Sequence, residues 1–247
     1  MGPRTVMWQM LKTQSNVAAV YSTATVLAFG AAMGLLLTYT PTETTMGPVQ
    51  KIFYLHLPVA INTFVSCLLV FIASIGYLAS QKTWWDDLAA AAAKTAVQLC
   101  AVVLLTGMIW GRGAWGQWWT WSPRLTFSLA LFLLYVVYLV VRSSIESRRQ
   151  RAVIAAVYAI IAFLDVPLVW LSARMMPDIH PGSIQLAPAM KLTLGVWFVP
   201  VTMLSLGLTI GRFSLIRRSS DATHVKQSPA PASNSAASRF QIAGGVL

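Results

Sequence analysis

The stretch LPVAINTFVSCLLVFIASIGYLAS, Leu57–Ser80, decides the fold class of this chain. It contains no charged side chain, and about 20 consecutive apolar residues suffice to cross a bilayer as a helix. Further apolar runs of this kind lie along the sequence at Val17–Tyr39, Ala89–Trp110, Leu125–Val141, Ala152–Ala173 and Leu192–Ile210. The pattern therefore predicts an all-α integral membrane protein with six transmembrane helices.

The composition supports the membrane class and excludes several others. Hydrophobic residues make up 57% of the chain and charged residues only 10%, which is unlike an ordinary soluble domain. The two cysteines, Cys67 and Cys100, lie inside apolar runs, which argues against a disulfide framework. The sequence has neither a CxxCH motif nor a phosphate-binding GxxxxGK motif. We therefore expect that the chain is not itself a c-type cytochrome and that it hydrolyses no nucleotide through that motif.

The distribution of Lys and Arg predicts how the helices are oriented. Twelve of the 18 basic residues lie on the side that carries both termini, and five lie on the other side. The positive-inside rule therefore places both termini in the cytoplasm, N-in and C-in. The same rule accounts for the net charge of +11 without nucleic acid. The first, third and fifth connections then face outward, to the periplasm or the equivalent side of an organelle membrane.

The chain divides into three predicted parts. Residues 1–16 form a cytoplasmic N-terminus, residues 17–212 form the six-span membrane domain, and residues 213–247 form a disordered, basic cytoplasmic tail. The first apolar run is too long for the core of a signal peptide and lacks a clear cleavage site. We therefore expect this run to be retained as the first span.

Tryptophan is concentrated in the second outward connection, WGRGAWGQWWTWSPRLT, residues 110–126. Half of the ten tryptophans lie here, at Trp110, Trp115, Trp118, Trp119 and Trp121. An aromatic belt would spread over many helix ends, so a cluster in one loop favours a platform for a large planar ligand. If the segment were helical, one face would carry Trp115, Trp118, Trp119 and Ser122.

Each of the other two outward connections carries one histidine. His56 lies in GPVQKIFYLHLP, where Pro48 fits a first helical position and Phe53 shares a helical face with His56. We expect a short interfacial helix there, leading into the second span. His180 lies in MMPDIHPGS, a constrained turn. Taken alone, each histidine is better explained as an ordinary interfacial or loop residue.

Together with the tryptophan cluster, the two histidines match the needs of a heme. The iron takes an imidazole on each side, the porphyrin takes aromatic rings, and the propionates take guanidinium groups. Arg112 and Arg124 flank the cluster and are the candidate propionate partners. An arginine at this depth pairs equally well with lipid phosphate.

The run WGQWWTWSPRLT, residues 115–126, resembles the WGxWWxWD signature of the heme-handling membrane proteins of cytochrome c biogenesis. Within that group it is most similar to the CcmC family, which has six spans, one tryptophan-rich outward loop and one histidine in each flanking outward loop. Those histidines correspond to His56 and His180, and the resemblance covers roughly residues 17–212. The larger CcmF-type and CcsA-type relatives have more spans than this chain.

Ser122 departs from the family signature, which has an aspartate at that position. Ser122 followed by Pro123 predicts a helix N-cap and first helical residue at the start of the fourth span. If capping is the role of the family's aspartate, Ser122 preserves it. If the carboxylate contacts heme or a partner, this chain lacks that contact.

The resemblance implies a non-enzymatic heme-handling subunit in a bacterial inner membrane. It implies heme b held by His56 and His180 as axial ligands at the outer face, and delivery of the heme to the chaperone CcmE. The implied partners are the ATP-binding cassette pair CcmA and CcmB, the small membrane protein CcmD, and the lipid bilayer. The implied platform and partner contacts are Trp115, Gly116, Trp118, Trp119 and Trp121.

Other functional classes remain open from the sequence. A small-molecule permease component would need polar groups near the bilayer midplane, and the clearest such group is Asp165, two residues before Pro167. A b-type electron-transfer subunit would need histidine pairs inside the spans, which the spans lack. A heme-lyase-type subunit of another cytochrome c assembly system would share the tryptophan signature. A purely structural assembly subunit would leave the tryptophan cluster unexplained.

Overall fold

The computed structural model describes residues 3–175 and 185–227. Its elements, in chain order, are α1 (Pro3–Thr38), the 3-10 helix η1 (Pro48–Ile52), α2 (Phe53–Ser80), α3 (Thr83–Trp115), α4 (Pro123–Ser144), α5 (Arg148–Ala162), α6 (Asp165–Met175) and α7 (Pro188–Gln227). Six segments are long and apolar enough to cross a membrane. Within the described residues there is no β-strand. The predicted all-α multi-pass fold with six spans is confirmed.

The fifth span is a pair of helices rather than one. Phe163 and Leu164 separate α5 from α6, because Pro167 cannot donate a hydrogen bond to the carbonyl of Phe163 four residues earlier. That carbonyl instead accepts the N–H of Val166 at 3.0 Å, which tightens the chain locally. Asp165 is the first residue of α6 and is buried, at a helix end where a carboxylate is favoured. Asp165 therefore lies at the break in the fifth span, at the N-terminus of α6.

The terminal helices extend beyond the predicted spans. Helix α1 begins at Pro3, inside the segment predicted as a cytoplasmic N-terminus. Helix α7 continues to Gln227, so residues 213–227, predicted as part of a disordered tail, are helical. This stretch contains neither glycine nor proline, and Pro229 follows the helix end, where helices commonly stop. The remainder of the predicted tail lies outside the described residues.

Helices α2 and α3 form the centre of the bundle. One core joins them to α4, α5 and α6, and a second core joins them to α1 and α7. The run Ala89–Ala93 in α3 is almost completely buried. Small side chains let neighbouring helices approach closely, which is how membrane helices gain packing contacts. Helix α3 is therefore packed against neighbouring helices in both cores.

Acidic residues at the start of α3 hold one end of the bundle together. The Asp86 carboxylate accepts two hydrogen bonds from the Arg142 guanidinium at the end of α4, at 2.5 and 3.0 Å. Asp87 pairs with Arg148 at the start of α5, with 3.3 Å between nitrogen and oxygen. We call this the charged end. At the opposite end, which we call the aromatic end, α3 finishes in the tryptophan segment.

Candidate functional site

His56 lies on α2, close to its N-terminus. Pro48 opens η1, as predicted, and η1 ends at Ile52 where α2 begins at Phe53. The expected interfacial helix is therefore a single 3-10 turn that continues directly into the second span. Gly47, which precedes it, has a φ of 64° that favours glycine. This continuity fixes the imidazole to a rigid helix instead of a loop.

One face of α3 holds the His56 ring. The Thr106 hydroxyl lies 2.8 Å from His56 Nδ1. One residue further, a Cβ on Gly107 would lie 3.3 Å from His56 Cε1, so the ring packs against the backbone of α3. One turn further, the Trp110 ring meets the imidazole edge-on with 5.8 Å between ring centroids. These contacts determine both the position and the orientation of the imidazole.

Aromatic rings continue from His56 toward the end of α3. Trp110 is 1% exposed and also contacts Phe53 of α2, with 5.9 Å between ring centroids. Trp115 stacks on Trp110, with 6.3 Å between ring centroids. Such ring pairs contribute about 0.5–1.5 kcal/mol each beyond their buried area. The tryptophan segment is therefore joined to the histidine through packed rings.

The first and second outward connections meet at Gly113. A Cβ on Gly113 would lie 2.8 Å from both methyl groups of Val49, so only glycine lets η1 lie this close to α3. The structure thus brings His56 and the tryptophan segment together at one end of the bundle, as the distribution of basic residues predicts.

The helix of the tryptophan segment stops at Trp115. Gly116 has a φ of 76° and donates its N–H to the Arg112 carbonyl at 3.1 Å, which caps α3. Residues 117–122 are not helical. The helical face that Trp118, Trp119 and Ser122 would share in a helix therefore does not form, because the left-handed glycine ends the helix first.

After Gly116 the tryptophans lie in different environments. Trp118 is 56% exposed and Trp121 is 75% exposed, whereas Trp119 is half-buried with its ring edge-on to Trp121. Exposed tryptophan is costly in water but suited to a partner or to the membrane interface. The segment therefore presents two accessible rings next to one partly covered ring.

Several polar atoms of this segment are buried without a partner among the described residues. They are Trp119 Nε1, Thr120 Oγ1 and Ser122 Oγ. A buried polar atom that lacks a hydrogen bond costs about 1–3 kcal/mol, so a ligand that supplies acceptors and donors gains from them. The cluster of such atoms beside an aromatic surface is typical of a binding site.

Ser122 occupies the N-cap position of α4, and Pro123 is its first residue, as predicted. The Ser122 carbonyl accepts the N–H of Thr126 at 2.9 Å, but the Ser122 side chain makes no capping hydrogen bond. The hydroxyl therefore does not perform the capping role expected for it. It is available for another partner.

The two candidate propionate partners flank the loop. Arg112 is exposed in the last turn of α3, and its guanidinium donates to the Gly116 carbonyl. Arg124 is partly buried in the first turn of α4. His180, the second predicted ligand, lies outside the described residues.

The residues present fit a heme better than a bare metal ion. No group of three or more His, Cys, Asp and Glu side chains suitable for a metal is found in the described part of the chain. Heme iron takes only one or two axial ligands from the protein, and the porphyrin ring supplies the others. An oriented imidazole, exposed indole rings, unpartnered buried polar atoms and flanking guanidinium groups are the chemistry that a porphyrin with acidic side chains requires.

Thr106 and Gly107 are site residues that the sequence interpretation missed. Both lie one turn before Trp110 on the same face of α3, which is a recognisable signal once Trp110 is singled out. Their contact with His56, however, depends on how α2 packs against α3. No local pattern in the sequence carries that information.

The fold and the site together define a multi-pass membrane protein with a histidine and tryptophan site at one end of its helix bundle. The CcmC family, described as heme exporter protein C, matches residues 4–228. The chain therefore belongs to the CcmC family.

Individual relatives support the same assignment. The chain is 29% identical to heme exporter protein C of Escherichia coli K12 over 178 residues, which is 70% of this chain and 73% of that protein. It is 30% identical to heme exporter protein C of Paracoccus denitrificans over 155 residues, or 62% and 64% of the two chains. It is 28% identical to heme exporter protein C of Haemophilus influenzae over 168 residues, or 68% of each.

Proposed function

We propose that this chain is the heme-handling subunit of cytochrome c maturation that presents heme at the periplasmic face of a bacterial inner membrane. The observation that carries the proposal is the His56 imidazole, fixed by Thr106, Gly107 and Trp110 beside the tryptophan segment. Membership of the CcmC family and the names of the relatives support heme as the cargo. The excess of basic residues at the charged end supports the orientation.

The site residues take distinct roles in this proposal. His56 and His180 are the axial ligands of a b-type heme, and Arg112 and Arg124 pair with its propionates. The porphyrin lies against the loop that carries Trp119, whose buried indole N–H lacks a partner among the described residues. Heme supplies the iron and the porphyrin surface, and the chain binds, orients and releases it.

The exposed part of the tryptophan segment is the contact for the next carrier. Trp118 and Trp121 expose more than half of their surfaces, and aromatic rings are enriched where proteins bind one another. We assign this contact to a CcmE-type heme chaperone. The sequence has no phosphate-binding motif of its own, which fits an ATPase supplied by CcmA with CcmB, and the small protein CcmD completes the complex.

The absorption spectrum of the detergent-purified protein, expressed with ample heme, tests the proposal. We expect a Soret band with the features of two imidazole ligands. A colourless protein that is folded and fully inserted would contradict it. The His180→Ala variant should stay inserted and lose most of its heme, and unchanged heme content in that variant would exclude His180 as a ligand.

Reporter fusions test the orientation separately. Fusions after Gln117 should report the outer side, and a fusion after Gln150 should report the cytoplasm. The reverse result would place the site on the cytoplasmic face and would remove the basis for delivery to a periplasmic chaperone.

A further inference from the structure

The Thr106 hydroxyl has three hydrogen-bonding neighbours, two backbone carbonyls of its own helix and the His56 ring. The hydroxyl donates to the carbonyl of Val102 at 2.7 Å, and the carbonyl of Val103, at 3.1 Å, is a second acceptor for the same proton. A hydroxyl has a single proton to donate and lone pairs that accept. Two oxygens only 2.7 Å apart need a proton between them, and the Val102 carbonyl has none, so the proton of the Thr106 hydroxyl points toward its own helix.

The direction of that proton determines the role of His56 in the same contact. The distance of 2.8 Å between His56 Nδ1 and Thr106 Oγ1 is that of a hydrogen bond. Since the Thr106 proton is directed to the Val102 and Val103 carbonyls, the oxygen accepts and His56 Nδ1 donates. In a neutral imidazole with a proton on Nδ1, the lone pair is on Nε2.

We infer that Thr106 is a positioning residue that holds His56 in the tautomer with the proton on Nδ1, leaving the Nε2 lone pair as the donor to heme iron. The inference rests on the proposed function for the identity of the cargo, whereas the tautomer is argued from the hydrogen bonds of the Thr106 hydroxyl. A ligating histidine commonly donates its other ring N–H to an acceptor, which fixes the tautomer and raises the basicity of the ligand.

The other contacts of the ring add to the same effect. The backbone at Gly107 lies against Cε1, and Trp110 lies edge-on to the ring, so the imidazole cannot easily flip to exchange its two nitrogens. Thr106 selects the nitrogen that carries the proton, and Gly107 and Trp110 hold the plane of the ring. The His56 side chain, held in this way, loses little conformational freedom when it coordinates heme iron.

The tautomer is measured in the heme-free protein, labelled with nitrogen-15 in its histidine rings, at alkaline pH where imidazole is neutral. The His56→Gln variant assigns the His56 signals by their absence. We expect a protonated Nδ1 and an unprotonated Nε2 in the unmodified protein. Thr106→Val should shift His56 toward the opposite tautomer, and Thr106→Ser should keep the original one.

Thr63→Val is the matched control. Thr63 also donates to the carbonyl four residues earlier in a membrane helix, that of Val59 at 2.9 Å, and the variant removes a hydroxyl of the same kind elsewhere. It should leave the His56 signals unchanged. A proton on Nε2 in the unmodified protein, or an unchanged His56 tautomer in Thr106→Val, would overturn the inference. If Thr106→Val does not accumulate, the unmodified protein and Thr106→Ser still decide the question.

Heme binding provides a second readout. Thr106→Val should weaken ferric heme binding by about 10–100-fold, the usual effect of removing the partner of a ligating histidine. The reduction potential of the heme bound to Thr106→Val should rise, because a less basic imidazole stabilises ferric iron less well. Thr106→Ser should restore both values. If the unmodified protein binds no heme, the proposed function fails but the tautomer result is unaffected. If heme binds normally and the His56 tautomer is the same in Thr106→Val as in the unmodified protein, only the inference about Thr106 fails.

Discussion

The two ends of the helix bundle satisfy their polar groups in different ways. At the charged end, Asp86 and Arg142 form a paired hydrogen-bonded contact, and the side chains are 4% and 12% exposed. At the aromatic end, Trp119, Thr120 and Ser122 bury polar atoms that have no partner among the described residues. The charged end pairs opposite charges within the chain, although Asp87 Oδ2 and Arg151 Nε there also lack a hydrogen bond among the described residues. The aromatic end leaves hydrogen-bonding groups beside exposed rings.

Under the proposed function, the charged end stabilises the bundle and the aromatic end binds the heme. A buried charge is tolerable only when it is paired, so the ion pairs at the charged end fix how α3, α4 and α5 meet. Unpartnered buried groups cost free energy in the empty protein, and a ligand that pairs with them recovers it. Changes at the charged end should therefore lower stability, and changes at the aromatic end should lower heme binding first.

The largest effect is expected from Asp86→Ala. The change leaves the largely buried guanidinium of Arg142, 12% exposed, without its carboxylate partner, which typically costs about 3–5 kcal/mol. We expect a marked fall in thermal unfolding temperature in detergent, with a normal heme spectrum in the molecules that remain folded. Loss of heme from a variant with unchanged stability would instead place part of the site at the charged end.

Two further variants isolate the ion pair at the charged end. Replacing Asp86 and Arg142 together by apolar residues should recover most of the stability, because no charge is then left buried alone. Glu146→Ala is the surface control on the same side, because Glu146 is exposed. It should change stability by less than about 0.5 kcal/mol.

Gly113→Ala tests the contact between η1 and α3. The new Cβ would lie 2.8 Å from the methyl groups of Val49, a stiff side chain, so η1 must move. Overpacking of this kind costs about 1–3 kcal/mol, and we expect weaker heme binding because η1 leads directly to His56. The measurement is heme content and unfolding temperature of the purified variant.

Combining Gly113→Ala with Val49→Ala should restore heme binding, because the methyl groups that clash are removed. Gly34→Ala in α1 is the matched control, since a Cβ there meets nothing within 4 Å. Equal losses from Gly113→Ala and Gly34→Ala would show that the close approach of η1 to α3 is unimportant.

Trp119 tests the aromatic surface. Trp119→Phe keeps a ring in the loop, whereas Trp119→Ala removes contacts worth about 0.5–1.5 kcal/mol per ring pair beyond the buried area. We therefore expect Trp119→Phe to retain several-fold more heme delivery per inserted molecule than Trp119→Ala. If the ring serves only the membrane interface, both variants should alter insertion and leave delivery per inserted molecule unchanged.

The smallest change in stability is expected from Ser122→Ala. A functional N-cap contributes about 1 kcal/mol, but the Ser122 hydroxyl makes no capping bond, so its removal should cost less than about 0.5 kcal/mol. Heme retention should fall by a few-fold if the hydroxyl pairs with cargo. The companion variant Ser122→Asp restores the carboxylate of the family signature. A destabilised Ser122→Ala with normal heme retention would show that capping is the role after all.

Much of this architecture follows from the sequence because the bilayer imposes simple rules. Apolar runs of sufficient length fix the six spans, and the distribution of basic residues places His56 and the tryptophan segment at one end. Pro167 is a local signal for the break in the fifth span, but the prediction of one continuous span over Ala152–Ala173 does not include that break. The continuation of α7 to Gln227 is hidden because a polar sequence can be either helical or disordered.

The details of the site depend on tertiary contacts that no local pattern contains. The left-handed Gly116 ends α3, so residues 117–122 form a loop, although the spacing of the tryptophans also fits a helix. The partner of His56 is a threonine on another helix, fifty positions away in the chain. Its identity depends on the register between α2 and α3, which packing along their whole length determines.

The most direct test of the central claim is imidazole binding to the His56→Gly variant. If His56 ligates heme iron from the aromatic end, this variant should lose the spectrum with two imidazole ligands, and added imidazole should restore it by filling the vacant position. The thermal stability of the variant should remain close to that of the unmodified protein, because the ion pairs at the charged end are intact. A His56→Gly variant that keeps the original heme spectrum without imidazole would contradict the account.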